Sequence, residues 1–128
     1  MLQPDLSSKV ISAAFAVHNT IRPGHLEHVY QNALAVELAN RGIRSTLESR
    51  LDIKYAGVVV GFCEADLIVD RTLVVETKAL DAILPGHLSR MRAYLRCSGY
   101  RLGLVLNFGP RRVDIKAVIE SGAERNTG

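Results

Sequence analysis

The apolar residues of this chain change their period once, near Ile43, and that change restricts the fold more than any other feature. Before it they recur every three or four positions, as on a helix; after it most apolar segments read as extended. Residues 8–19 carry Val10, Ile11, Ala14, Phe15 and Val17, closing on His18, with Ser7 or Ser8 as N-cap. The segment Asn19-Thr20-Ile21-Arg22-Pro23-Gly24 interrupts this helix, because proline disfavours helix at Arg22 and Gly24 frees the backbone to turn. A second helix is expected over 26–40, with Leu26, Val29, Tyr30, Ala33 and Leu34 on one side and Gly42 as the left-handed residue that ends it.

Residues 43–55 and 58–69 then read as strands joined in a hairpin at Ala56-Gly57, and 73–77 as a third strand. Leu84-Pro85-Gly86 reads as a break. A helix follows over 87–97, with Leu88, Met91, Tyr94 and Leu95 as its apolar stripe and Ser98-Gly99 as its end. Two more strands are expected at 101–107 and 113–119, with Asn107-Phe108-Gly109-Pro110 as the turn that closes the first. The order helix, helix, three strands, helix, two strands predicts a mixed sheet with helices packed against it, an α/β or α+β fold. A single domain over 1–128 is expected, with its core in 6–119 and a frayed polar tail at 120–128.

Composition narrows the function classes. With 48% hydrophobic and 23% charged residues the chain can bury a core. Its net charge of +3 is too mild to prove a nucleic-acid partner, but the distribution is uneven. Through Leu80 there are 8 basic and 9 acidic residues; from Asp81 onward there are 8 basic and 4 acidic, and all but one of those bases are arginine. The C-terminal part is therefore the expected anion-facing side. Cys63 and Cys97 have neither CxxC spacing nor neighbouring histidines, so no zinc or redox motif is visible and both are expected to be reduced. The start Met1-Leu2-Gln3-Pro4-Asp5 has no basic stretch followed by an apolar run, so no signal peptide or membrane span is expected, and the protein is expected to be cytoplasmic.

Charged residues inside apolar strands are the informative anomaly, since an unpaired buried carboxylate must shift its pKa or find a cation. Asp66 interrupts the second strand, and Glu76-Thr77-Lys78 closes the third. Strand alternation puts Glu76 and Lys78 on one face and Thr77 on the other. A three-residue loop of Asp70-Arg71-Thr72 would pair Val69 with Leu73 and place Asp66 opposite Glu76. A two-residue loop would pair Asp66 with Val75 and separate the carboxylates, unless a bulge restored parity. In the first register two carboxylates on adjacent strands call for a cation, and Mg²⁺ accepts a few carboxylates plus water. Such an ion polarises a phosphoryl oxygen and acidifies a bound water, while Lys78 would orient that water or stabilise growing negative charge. The plainer alternative is an ion-pair cluster on a half-exposed sheet face.

Asp66 with Glu76-Thr77-Lys78 resembles the signature of the PD-(D/E)XK nuclease superfamily, and Gly24-His25-Leu26-Glu27-His28-Val29-Tyr30 resembles the defining motif of its small GxxExxY family. Val17-His18, Pro23-Gly24, Glu64-Ala65-Asp66-Leu67, His87, Tyr94-Leu95, and Gly103-Leu104 through Asn107-Phe108-Gly109 follow in the same order, so the likeness covers about 6–119. It implies a restriction-endonuclease-like core in which Asp66, Glu76 and the Thr77 carbonyl hold Mg²⁺ or Mn²⁺ and Lys78 serves catalysis. Glu27 would be the accessory carboxylate, reaching the metal directly or through water, and Glu27 and Tyr30 lie three apart on one helix face. The alternative for Glu27 is an acid that favours the helix N-terminus.

The chain departs from the pattern twice: Ala65 stands where the superfamily has proline, and Arg90 where the family usually has glutamine four residues before the tyrosine. Arginine binds phosphate through its forked donors. The resemblance implies nucleic-acid contacts at Arg90, Tyr94, His87, Arg101 and Tyr30; Tyr94 also suits a core position with its hydroxyl at the rim. His18 is expected to pack near the Pro-Gly turn, and His87 to contact phosphate or the site's periphery at a helix start. The expected activity is Mg²⁺-dependent cleavage of nucleic acid, DNA favoured over RNA, by a possible homodimer. The alternatives are a nucleic-acid-binding module without turnover and a structural subunit.

Overall fold

The computed structural model describes residues 5–120 of the chain. Its elements follow the expected order: α1 (Leu6–Ile21), α2 (Glu27–Asn40), β1 (Ser45–Tyr55), β2 (Val58–Val69), β3 (Leu73–Lys78), α3 (Pro85–Ser98), β4 (Leu102–Phe108) and β5 (Val113–Ile119). The strands form one sheet in sequence order β1-β2-β3-β4-β5. All neighbours are antiparallel except β3 and β4, which run parallel and are joined through α3.

The two faces of the sheet carry different helices. On one, Val10, Ala14 and Val17 of α1 and Tyr30, Leu34 and Leu38 of α2 pack with Leu67, Val69, Leu73, Val75, Leu104 and Leu106. On the other, Met91 and Leu95 of α3 pack with Leu51, Ile68, Val74, Val105 and Val118. With helices on both sides, β3 is buried from Leu73 to Thr77, and this explains why its sequence is a continuous apolar run up to Glu76-Thr77-Lys78.

Several boundaries differ from the sequence reading. Asp5, not Ser7 or Ser8, caps α1, its Oδ1 accepting from the Ser8 amide at 2.8 Å. Leu84-Pro85-Gly86 is no break: Pro85 opens α3, where its missing N–H leaves no bond unmade. Residues 43 and 44 precede β1, and β4 runs one residue further than expected, so Phe108 as well as Asn107 lies within it and not in a turn. Phe15 and Leu26, expected on apolar stripes, are exposed. Gly42 does adopt a left-handed backbone (φ 78°) just beyond α2. Residues 121–128 of the expected tail lie outside the described residues, while the Glu120 amide bonds to the Arg101 carbonyl at 2.9 Å.

Candidate active site

The loop between β2 and β3 has the odd length that brings the carboxylates together. Val69 pairs with Leu73 and Thr72 N–H donates to Val69 O at 3.0 Å, with Asp70 and Arg71 both at positive φ. Pairing runs through Leu67 and Val75 and then stops. One rung further, the Asp66 amide donates to Glu76 Oε1 at 2.9 Å, and the Thr77 amide donates to Asp66 Oδ2 at 2.8 Å. Thr77 Oγ1 donates to the same Asp66 oxygen at 3.0 Å. The strands fork here, and each carboxylate takes the backbone donor that the ladder no longer satisfies.

The irregularity extends to β1. Leu47 pairs with Leu67 and Ser49 with Ala65, but Glu48 between them has φ 52°, a conformation a non-glycine side chain disfavours. Ala65 and Ile68 lie in the same core cluster although three residues apart, which strict alternation forbids. The kink is centred on Asp66.

The fork is electrostatically loaded. Glu76 is only 7% exposed, and burial pushes its pKa up to about 7, helped by the neighbouring Asp66 charge. The Asp66 amide and Lys78 pull the other way, and Glu27 adds to the rise. Such a carboxyl needs a proton or a cation beside it. Among the described residues no group of three or more His, Cys, Asp and Glu side chains gathers to hold a metal, so Glu27 acts on Glu76 from a distance. The donor set suits Mg²⁺ or Mn²⁺, which are held by one or two carboxylates with water completing the shell. Each carboxylate has one oxygen in the bonds described, and the other is available.

Helix α3 lines the same face. Tyr94 has its pKa raised, first by burial and then by the Glu76 charge, while Arg90 one turn earlier counteracts the rise. Arg90 is exposed and Tyr94 half-buried, so the guanidinium and the phenol sit at the rim beside the fork. His87 Nδ1 accepts from the Leu84 amide at 2.9 Å and so caps the start of α3.

One expected nucleic-acid contact, Tyr30, is corrected, and another, Arg101, stands apart from the fork. Tyr30 is fully buried, stacked on Phe108 at 4.7 Å between ring centroids, with its hydroxyl donating to Arg22 O at 2.8 Å. A side chain so enclosed touches no nucleic acid; it fixes the turn that starts α2, which carries Glu27. Arg101 immediately precedes Leu102, which pairs with Leu73, whereas Lys78 pairs with Asn107. Five strand steps of about 3.3 Å separate these pairs and Arg101 lies one step further, so it stands roughly 20 Å along the sheet from Lys78. His18 is buried at the end of α1 as expected; the Arg22 amide donates to its carbonyl at 3.0 Å, and its Nε2 meets Gly109 O at 2.8 Å, beside Pro23 and Gly24.

Three residues at the site are missed by sequence reasoning. Gln31, buried one turn after Glu27, donates from Nε2 to Asp66 O at 3.4 Å; its i,i+4 spacing from Glu27 is the available signal. Cys63 is a free thiol whose pKa is raised by burial, then by Cys97 and Glu76. Asn107 is wholly buried and bonds to the segment that leaves Lys78.

Comparison with known proteins agrees with this arrangement. A family model described as the PD-(D/E)XK nuclease superfamily matches residues 4–118. An alkaline exonuclease, LHK-Exo from Laribacter hongkongensis, superposes with a TM-score of 0.57 at 13% identity over 98% of this chain and 76% of that one. The same exonuclease in complex with dAMP gives 0.55 at 14% identity, covering 99% and 76%. A protein designated SSO0001 gives 0.54 at 18% identity, covering 78% of this chain and 55% of its own. At these identities the likeness is one of fold. No curated protein matches the sequence.

Proposed function

Since this chain belongs to the PD-(D/E)XK nuclease superfamily, we propose that it hydrolyses phosphodiester bonds of nucleic acid with a divalent cation held at the fork between β2 and β3. The observation that carries the reading is Glu76, buried, facing Asp66 and raised to about 7. A second carboxylate beside a desolvated one is an unfavourable arrangement unless a cation belongs between them.

Asp66, Glu76 and the Thr77 carbonyl would hold Mg²⁺ or Mn²⁺, which supplies Lewis-acid polarisation of the phosphate and a more acidic water. Lys78 follows Glu76 on the same face of β3, where its ammonium stabilises charge building on the scissile phosphate. Glu27 orders water at the edge of the site. Arg90 offers a forked donor pair to a backbone phosphate, Tyr94 lies beside it, and His87 presents its free ring edge one turn earlier. DNA is the favoured substrate; one structure of similar fold was solved with dAMP, a deoxynucleotide. We place the protein in the cytoplasm, acting as a single domain that pairs into a homodimer to embrace a duplex.

Purified protein incubated with DNA and RNA, with and without Mg²⁺ or Mn²⁺, tests the reading against an Asp66→Ala control. Metal-dependent cleavage lost in the control supports it; no cleavage above the control removes the catalytic claim. Arg90 favours a second reading, binding without turnover. Affinity that falls steeply with salt and ignores divalent metal would support that one.

A further inference from the structure

We propose that Asn107 is a positioning residue for the proposed nuclease chemistry, acting by clamping the backbone that leaves Lys78; the proposal rests on the reading of the fork as a catalytic site. Parallel pairing between β3 and β4 ends at Lys78 and Asn107. Beyond it the chain still has to be held, because a lysine at the last position of a strand inherits any motion of the loop that follows.

Asn107 supplies the hold. Its Oδ1 accepts from the Leu80 amide at 2.8 Å and its Nδ2 donates to the Leu80 carbonyl at 2.8 Å. A side-chain amide carries one donor group and one acceptor on adjacent atoms, as a peptide does, so Asn107 acts as one further rung of the ladder across from Leu80. The residue is completely buried, whereas Leu80 is exposed, so the clamp is anchored on the sheet and grips the loop. Leaving either partner unpaired there carries a desolvation penalty, so the two-bond state is the stable one.

The anchor is itself tied on both sides. Phe108 stacks on Tyr30, whose helix carries Glu27 and Gln31. Gly109 O accepts from His18 of α1, and a Cβ at Gly109 would come within 3.2 Å of Arg112 O and 3.4 Å of Asn107 Nδ2. Three consecutive residues thus join the exit of the Glu76–Lys78 strand, the helix facing Asp66, and α1. Asn107 contacts no reacting group; it sets where the backbone of Lys78 stands relative to the fork.

The test uses Asn107→Leu, similar in size but without polar atoms, and Asn107→Asp, which keeps the acceptor and loses the amide donor. Val10→Ala in α1 serves as a control that loosens the core elsewhere. The expected result for Asn107→Leu is a kcat lower by about tenfold to a hundredfold, KM and Mn²⁺ affinity unchanged, and faster exchange of the Leu80 amide proton. Asn107→Asp should fall between it and wild type, and Val10→Ala should keep wild-type kcat at the same loss of Tm. A folded Asn107→Leu protein with wild-type kcat overturns the proposal, as does a loss matched by Val10→Ala. Should Asn107→Leu not fold, Asn107→Asp takes its place: a lowered kcat supports the clamp, and wild-type kcat overturns it. A wild-type protein without turnover overturns the nuclease reading and the positioning role together. An unprotected Leu80 amide in an active wild type overturns only the clamp.

Discussion

The two ends of the β2–β3 pair differ in how they satisfy their backbone. At the loop end Val69 and Leu73 are buried and paired, and Leu73 also pairs with Leu102 of the parallel strand. At the other end pairing stops after Leu67 and Val75, and two carboxylates take the orphaned amides of Asp66 and Thr77. The first end is held by apolar packing and ladder hydrogen bonds. The second holds a buried acid at a pKa of about 7 with Asp66 facing it, so its stability depends on protons and cations in a way the first does not.

The largest separation of the two ends is expected in turnover. Asp66→Ala should lower metal-dependent cleavage on the order of a thousandfold or more, and Lys78→Ala on the order of a hundredfold. Arg101→Ala, at the loop end, should stay within about twofold. Steady-state kinetics on one DNA substrate compares all three; a large loss in Arg101→Ala would break the distinction.

A smaller effect concerns pH. Glu76 titrates near 7 when folded and near its ordinary 4.5 when unfolded, so between these values the folded protein holds a proton that the unfolded chain has released. Stability therefore falls as pH rises from about 4.5 toward 7, by about 3 kcal/mol in the absence of divalent metal, and is level above. Glu76→Gln should flatten this dependence, and saturating Mn²⁺ should raise the wild-type Tm at pH 8 but not that of the variant. Denaturant unfolding across pH provides the check. Val69→Ala, at the apolar end, should cost about 2 kcal/mol at every pH and leave the Mn²⁺ response intact.

The smallest effect sharpens the assignment of Tyr30. Tyr30→Phe removes the bond to Arg22 O and should cost about 1 kcal/mol, with DNA affinity unchanged. Weakened DNA binding without loss of stability would restore Tyr30 to the interface.

Much of this contrast is legible in the sequence. Strand parity reduces the choice to a three-residue loop that brings Asp66 to Glu76 or a two-residue loop that parts them, and the pairing of Val69 with Leu73 decides it. The helices and strands follow from apolar period, and Asp66, Glu76 and Lys78 stand out as charges in apolar runs. The place of Arg101 does not follow from local pattern, because its distance from Lys78 depends on the parallel register of β3 and β4, which the α3 crossover sets. Helical spacing puts Tyr30 on the apolar side of α2, against the substrate contact that the resemblance implies; the Phe108 stack that encloses it comes from far along the chain. Asn107 resembles a turn residue, since Asn-Phe-Gly-Pro has turn composition. Its two bonds to Leu80 are tertiary and leave no local trace.

The most direct trial of the account is a crystal grown with Mn²⁺ at pH 8 and measured at the manganese absorption edge. An anomalous peak bridged by the Asp66 and Glu76 carboxylates is the expected result. A fully ordered fork that carries no peak at saturating Mn²⁺, with Asp66 and Glu76 still bonded across the strands, would contradict it.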